Sequence, residues 1–288
     1  MGFFSSVNGE VVPAEQARVS VLDSGFLYGD SVYETLRTYG GRPFHLDRHL
    51  RRLRRSAGRL GIDIPLGDDV LARRTGEVLA RAANAESTIR IVVSRGVGDI
   101  SYRFDRVKGP TVVISAKPLE PFPEDTYTQG IAVAVVSLRR NPPDALDPAI
   151  KSSNLLNNVL ATREAQAKGA LEAILLNHRD EIAEGAGSNV FVVKAGEVLT
   201  PPLSAGILPG ITREVLLELA PAAGVTMREQ ALRLPDLLGA DEAFITSTLK
   251  ELAPIARVDG RSVGSGRPGP LTACLLKAYR AYAPLHCG

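Results

Sequence analysis

A lysine, a carboxylate and a set of hydroxyl-bearing turns are the residues of this chain whose types and spacing could do chemistry. Lys151 heads "KSSNLLNNVLA", a neutral segment in which no carboxylate follows until Glu164. Amines attack carbonyls as the neutral base, and partial burial favours that form. An inward-pointing reactive lysine and an exposed lysine capping a loop both fit the segment. Glu184 stands in "EIAEGAGSNVFVV" ahead of small residues that let backbone approach a ligand. A polar turn with Glu184 in water fits it too. "GILPGITREVLLELA" opens a helix at Gly210-Ile211-Thr212. Free N–H groups, the helix dipole and the Thr212 hydroxyl suit a phosphate there, although most helix starts bind nothing. "FITSTLKE" ends a strand in Thr246-Ser247-Thr248, which is either a second phosphate contact or a polar strand end.

Other chemistries lack their signatures. His45, His49, His178 and His286 make no metal-ligand spacing. There is no G-x-S-x-G and no P-loop, and "GVGDIS" and "GAGSNV" lack the third glycine of a dinucleotide turn. The net charge of +2 gives no bulk field toward nucleic acid or membrane. Six arginines fall between Arg48 and Arg59, but Leu50, Leu53, Ala57 and Leu60 form an apolar stripe that leaves them a solvated face. No apolar run is long enough to span a bilayer, and the N-terminus lacks signal-peptide features. Cys274 and Cys287 form neither a metal spacing nor a disulfide framework, which fits a reducing cytoplasm.

The elements that must hold these residues read as α/β. Turn signals at Asn8-Gly9 and Gly40-Gly41 flank β-rich runs, and "TIRIVVSRG" and "PTVVISAKP" read as the strands of a small sheet. "KPLEPFPED" reads as a linker because of its prolines. Beyond it, "GIAVAVVSL", "LEAILLN" and "EAFITST" are strands, and "NVFVVKAGEVLTP" is a hairpin turning at Ala195-Gly196. Leu155, Leu156, Val159 and Leu160 share one helix face, "GITREVLLELAPAAG" is a helix closed by glycine, and another helix starts at Leu271. The expected division is a small N-terminal α/β domain over 1–116, a linker over 117–123 and a larger α/β domain over 124–288. A cleft between domains is a favoured place for a ligand.

A lysine amine, a carboxylate and several phosphate contacts, without a metal set or a triad, match what pyridoxal phosphate needs. In this order the segments resemble the fold-type IV (class IV) pyridoxal-phosphate enzymes, which include branched-chain and D-amino acid aminotransferases and aminodeoxychorismate lyases. The resemblance runs from "VNGEVV" to "IARVDGR" and is strongest in "LYGDSVYETLRTY", "HLRRLRRSA", "KSSNLLNNVLA", "EGAGSNVF", "GILPGITRE" and "FITSTLKE". It implies a two-domain fold with the cofactor in the interdomain cleft, and a homodimer. It implies that Lys151 forms the Schiff base and shuttles the substrate's α-proton. Glu184 is implied as the partner of the pyridine nitrogen. Arg52, Ile211, Thr212 and Thr248 are implied as the phosphate holders, and Leu208 as packing on the ring.

The implied reaction moves an amino group between an amino acid with a small or branched apolar side chain and a 2-keto acid. The alternative is aminodeoxychorismate lyase, which forms 4-aminobenzoate and pyruvate. "SVYETLRTY" and "TIRIVVSRG" resemble branched-chain enzymes and place Tyr33, Arg37 and Arg90 near substrate carboxylates. "KSSNLLNNVLATREA" and "TSTLKE" are closer to D-amino acid enzymes, so L or D specificity stays open. Two departures accompany this. Ile100 and Tyr102 stand where D-specific enzymes carry an Arg and a His, leaving Arg103 as a candidate replacement. Ser247-Thr248-Leu249-Lys250 stands where branched-chain enzymes carry Gly-Thr-Ala-Ala.

Overall fold

The structure is a computed structural model that describes residues 1–288. The chain divides into two compact units, each with its own sheet. The first unit comprises Met1–Glu120, Ile150–Leu155 and Ala283–Gly288, and the second comprises Pro121–Ala149 and Leu156–Tyr282.

The first unit holds β1 (Phe4–Val7), β2 (Glu10–Pro13), α1 (Ser24–Tyr28), β3 (Ser31–Tyr39), β4 (Arg42–Pro43), α2 (Leu46–Leu60), α3 (Asp68–Ala82), β5 (Ser87–Ser94) and β6 (Thr111–Pro118). Its antiparallel sheet runs β2-β1-β6-β5-β3-β4. Strand β3 alternates strictly, turning Val32, Glu34, Leu36 and Thr38 inward and leaving Tyr33, Thr35, Arg37 and Tyr39 half-buried on the other face. The register pairs Thr35 with Arg90 and Arg37 with Thr88, so Tyr33, Arg37 and Arg90 share that second face. The inward face packs Leu36, Ile89, Ile91 and Ile114 against Leu50, Leu53 and Ala57 of α2 and Leu71 and Val78 of α3. Each such fully buried aliphatic side chain contributes about 1.5–3 kcal/mol. The predicted α2 stripe is therefore its core face. The helix ends at Gly61, whose φ of 64° lets its N–H reach Ala57 O.

The second unit holds α4 (Glu124–Gln129), β7 (Ile131–Arg139), α5 (Pro143–Leu146), α6 (Leu156–Ala167), β8 (Glu172–Leu176), β9 (Ile182–Gly185), β10 (Asn189–Lys194), β11 (Glu197–Thr200), α7 (Ile211–Leu219), β12 (Met227–Glu229), α8 (Leu234–Leu238), β13 (Glu242–Ser247), β14 (Glu251–Val258), β15 (Arg261–Ser262) and α9 (Pro270–Tyr282). Its mixed sheet runs β12-β11-β10-β13-β14-β7-β8-β9, with β15 on β14. Strands β8, β10 and β13 are buried almost throughout, so they read as continuous apolar runs rather than as alternation.

Two readings differ from what the sequence suggested. The apolar face of α6 points outward: Leu156 is 64 % exposed and Val159 58 %, while Ala161 and Ala165 are buried. Small side chains let α6 lie close on its sheet among Ala134, Val136, Ala173 and Leu175, and the larger ones are left outside. The second unit is also not the continuous stretch 124–288. Residues 150–155 belong with the first unit because Tyr33 N–H donates to Lys151 O (2.9 Å) and Ser153 N–H to Ser31 O (2.8 Å). Residues 283–288 join it through His45 N–H to His286 O (3.1 Å) and Gly288 N–H to Pro43 O (3.1 Å).

Candidate active site

Within the first unit, Lys151 is held by its backbone. Its carbonyl accepts from Tyr33, its N–H donates to Ser56 Oγ (3.1 Å), and the next residue, Ser152, forms a β-bridge with Val32. Ile150 before it packs against the core. The half-buried side chain brings Nζ to 4.6 Å from the centre of the Tyr33 ring. Arg90 places its guanidinium 4.0 Å from the same ring and donates to Thr35 Oγ1 (3.3 Å). Tyr33, Arg90 and Lys151 thus meet around one aromatic ring. Arg37 lies further along β3, over the Tyr39 ring at 4.2 Å, and donates to Thr38 O (3.3 Å).

Arg52 is distinguished from its neighbours by burial: its side chain is 6 % exposed, against 73 % for Arg51. It grips Glu34 side-on, Nε to Oε1 at 2.8 Å and Nη2 to Oε2 at 2.7 Å. His49 Nδ1 lies 2.7 Å from Glu34 Oε2, and its buried Nε2 has no partner. Burial alone would raise the Glu34 pKa, but Arg52 and then His49 outweigh it and hold the carboxyl at about 2. Burial pushes His49 below its ordinary value, against the pull of Glu34, so the ring is neutral at neutral pH.

In the second unit, Glu184 lies on β9 with both oxygens engaged. Oε1 accepts from Arg140 Nε (2.8 Å), and Oε2 accepts from Leu208 N–H (3.0 Å) and, at 3.5 Å, from Asn189 Nδ2. Asn189 also donates to Leu208 O (3.0 Å), and Arg140 reaches Asn157 Oδ1 (3.1 Å). Helix α7 begins at Ile211 behind Gly210, which supplies no side-chain cap. Thr212 is 1 % exposed and its hydroxyl has no partner; neither has the buried hydroxyl of Thr246 on β13. Thr248 is 9 % exposed in the turn that follows.

The model of the family described as Amino-transferase class IV matches residues 31–258. The chain belongs to the class IV aminotransferases. This aminotransferase is 41 % identical over 274 residues to a Methanocaldococcus jannaschii protein assigned as a branched-chain-amino-acid aminotransferase, covering 95 % of this chain and 94 % of that one. It is 36 % identical over 266 residues to the D-alanine aminotransferase of Bacillus licheniformis, covering 92 % of each. Among solved structures, the branched-chain amino acid aminotransferase from Thermobaculum terrenum in its PLP-form superposes with a TM-score of 0.86 at 29 % identity, covering 98 % of this chain and 94 % of that one. The aminotransferase is thus a transaminase of a pyridoxal-phosphate family, and the comparisons favour transamination over the lyase alternative. Its residues fit that cofactor. Buried hydroxyls without partners are costly unless something arrives to bond them; Thr212, in the first turn of a helix with no side-chain cap, is one such group, and Thr246 on β13 is another.

The sequence did not point to every partner of these candidate residues. Arg140 carried no signal, because its partner Glu184 lies 44 positions away. Glu34 carried one that went unread: a charged residue at an inward position of a strictly alternating strand needs a buried partner. Around the missing Arg-His pair, Ile100 is 77 % exposed and Tyr102 85 %. Arg103, the candidate replacement, instead pairs on the surface with Asp105 at 2.8 Å.

Proposed function

We propose that this aminotransferase moves the amino group of branched-chain or small apolar amino acids to a 2-keto acid, with Lys151 as the reacting amine. The observation that carries this reading is the placement of Lys151. It is half-buried, locked to β3 through its backbone, and has its Nζ over the Tyr33 ring beside Arg90. When bound, pyridoxal phosphate supplies an aldehyde that exchanges oxygen for the substrate nitrogen and a ring that withdraws electrons from the α-carbon. Lys151 Nζ would be the amine that holds the cofactor through its aldehyde carbon at rest and, once displaced by the substrate amine, would take the α-proton and deliver it to that former aldehyde carbon. Glu184 would accept from the pyridine N–H, its carboxylate aimed by Arg140, Asn189 and the Leu208 N–H. Arg52, the Ile211 N–H, Thr212 and Thr248 are the groups that would hold the phosphate, and Leu208 would pack on the ring. Tyr33 and Arg90 orient the substrate carboxylate, with Arg37 further along the same sheet face for a longer dicarboxylate such as 2-oxoglutarate.

The test is a half-reaction without acceptor. Holoenzyme given L-leucine is expected to lose its yellow band and release the keto acid, while Lys151→Ala loses turnover by a factor of about 10³ or more. Bleaching by D-alanine alone would instead assign the D-specific activity named for the Bacillus licheniformis relative.

The same reading includes a homodimer in the cytoplasm. Phe26, Ile100, Tyr102 and Phe104 are each at least 68 % exposed, and the ring centres of Tyr28 and Tyr102 lie 5.1 Å apart. An apolar patch of this kind supports burial against a second copy. Both cysteines are free, and no helix is long and apolar enough to cross a membrane.

A further inference from the structure

The turn from β13 to β14 is tied down more firmly than a hairpin turn requires. It contains Thr248, Leu249 and Lys250 and closes on Glu251, a non-glycine residue at φ 54°. Glycine normally fills that position in such turns. A side chain persists there only when its surroundings dictate the conformation, and such places gather at functional sites. Here side chains from several elements dictate it. Arg280 of α9 donates through Nε to Glu251 Oε2 (2.7 Å). Tyr127 of α4 donates its hydroxyl to Lys250 O (3.2 Å), and Lys250 N–H donates to Ser247 Oγ (3.1 Å). The Lys250 ammonium, 18 % exposed, reaches Glu172 Oε2 on β8 at 2.5 Å, and that carboxylate is 4 % exposed.

Glu172 Oε2 also accepts from Ser188 Oγ (3.2 Å), in the turn between Glu184 and Asn189. One carboxylate oxygen therefore joins the turn bearing Thr248 to the turn that follows Glu184. Lys250 also belongs to the segment in which this chain departs from the Gly-Thr-Ala-Ala of branched-chain enzymes.

We infer that the Lys250–Glu172 pair is a latch that fixes Thr248 at the phosphate end of the cofactor site, so that Lys250 and Glu172 are positioning residues. The inference rests on the proposed role of Thr248 as a phosphate contact. Neither latch residue needs to touch the cofactor. Their part is to deny the turn the freedom it would otherwise lose on binding.

The test compares pyridoxal phosphate with pyridoxal, which lacks the phosphate, each titrated into the full chain stripped of cofactor. The latch predicts that Lys250→Met weakens pyridoxal phosphate binding at least fivefold and changes pyridoxal binding less than twofold. Lys250→Arg, which can still pair with Glu172, is expected to restore the ratio of the two affinities. Lys250→Met leaves a buried carboxylate unpaired, so the double variant Lys250→Met/Glu172→Gln is measured beside it and is expected to show the same loss in the ratio. Thr248→Ala separates the two ideas. If it lowers the ratio while the latch variants leave it unchanged, the latch is overturned and the Thr248 assignment stands. If Thr248→Ala itself leaves the ratio unchanged, the phosphate assignment fails and the latch falls with it. An equal loss for both ligands in the latch variants would mean a general structural role and would also overturn the inference.

Discussion

At the scale of single residues, the first unit buries a charge cluster whose members depend on one another. Glu34 carries a full charge with 0 % exposure and has Arg52 and His49 as its partners. Breaking such a pair from one side costs about 3–5 kcal/mol, because the remaining charge stays buried. Glu34→Ala is therefore expected to lower stability by about that amount in urea titrations; a loss below about 1 kcal/mol would mean that Arg52 finds water instead. The cluster also sets a pH dependence. A carboxyl held at about 2 in the folded chain gives stability that is fully present above its ordinary value of 4.5 and is lost as pH falls toward 2. His49 and His45 act in the same direction at higher pH. Burial lowers both, His45 to about 4 with help from Arg48, so the unfolded chain gains protons first as pH drops below 6.5. The midpoint of unfolding is expected to fall between pH 6.5 and 4, and His45→Asn to flatten part of that slope. A wild-type midpoint that stays level over this range would contradict the assignment of both histidines.

At the scale of elements, what the sequence disclosed depended on whether the pattern was local. The α2 stripe, the hairpin at Ala195-Gly196 and the α7 start follow from neighbours within one or two turns, and the structure has each of them. The outward face of α6 was not legible, because periodicity reports that apolar residues share a face but not whether a closer-fitting alanine face wins the sheet. Likewise the partners Arg140–Glu184 and Lys250–Glu172 join residues 44 and 78 positions apart, and nothing local announces them. Helix α7 supports a prediction with opposite signs in two measurements. Thr212→Val removes a buried hydroxyl without a partner, so the cofactor-free chain is expected to be as stable as wild type or slightly more so. A hydrogen bond to a charged group is worth about 1.5–3 kcal/mol, so pyridoxal phosphate affinity should fall roughly tenfold or more. Unchanged affinity would remove Thr212 from the phosphate site.

At the scale of the whole molecule, the family assignment and the two-sheet architecture agree, and the domain organisation proved less linear than the chain. The chain divides at Glu120/Pro121, and six residues, Ile150–Leu155, group with the first sheet. Strand-like pairing to β3 explains this, since Lys151 O accepts from Tyr33 N–H and Ser153 N–H donates to Ser31 O. The exposed aromatic patch gives the prediction at this scale. Light scattering is expected to report about twice the 30.7 kDa chain mass, and Phe26→Asp to shift it toward one chain. A wild-type monomer of full activity would contradict the dimer. The central claim, that Lys151 is the amine bonded to the cofactor, is tested most directly by reducing the holoenzyme with borohydride and mapping the labelled peptide. The account predicts a pyridoxyl group on Lys151 within "AIKSSNLLNNVLATR" and on no other lysine. A label on a different lysine, with Lys151 unmodified, would contradict it.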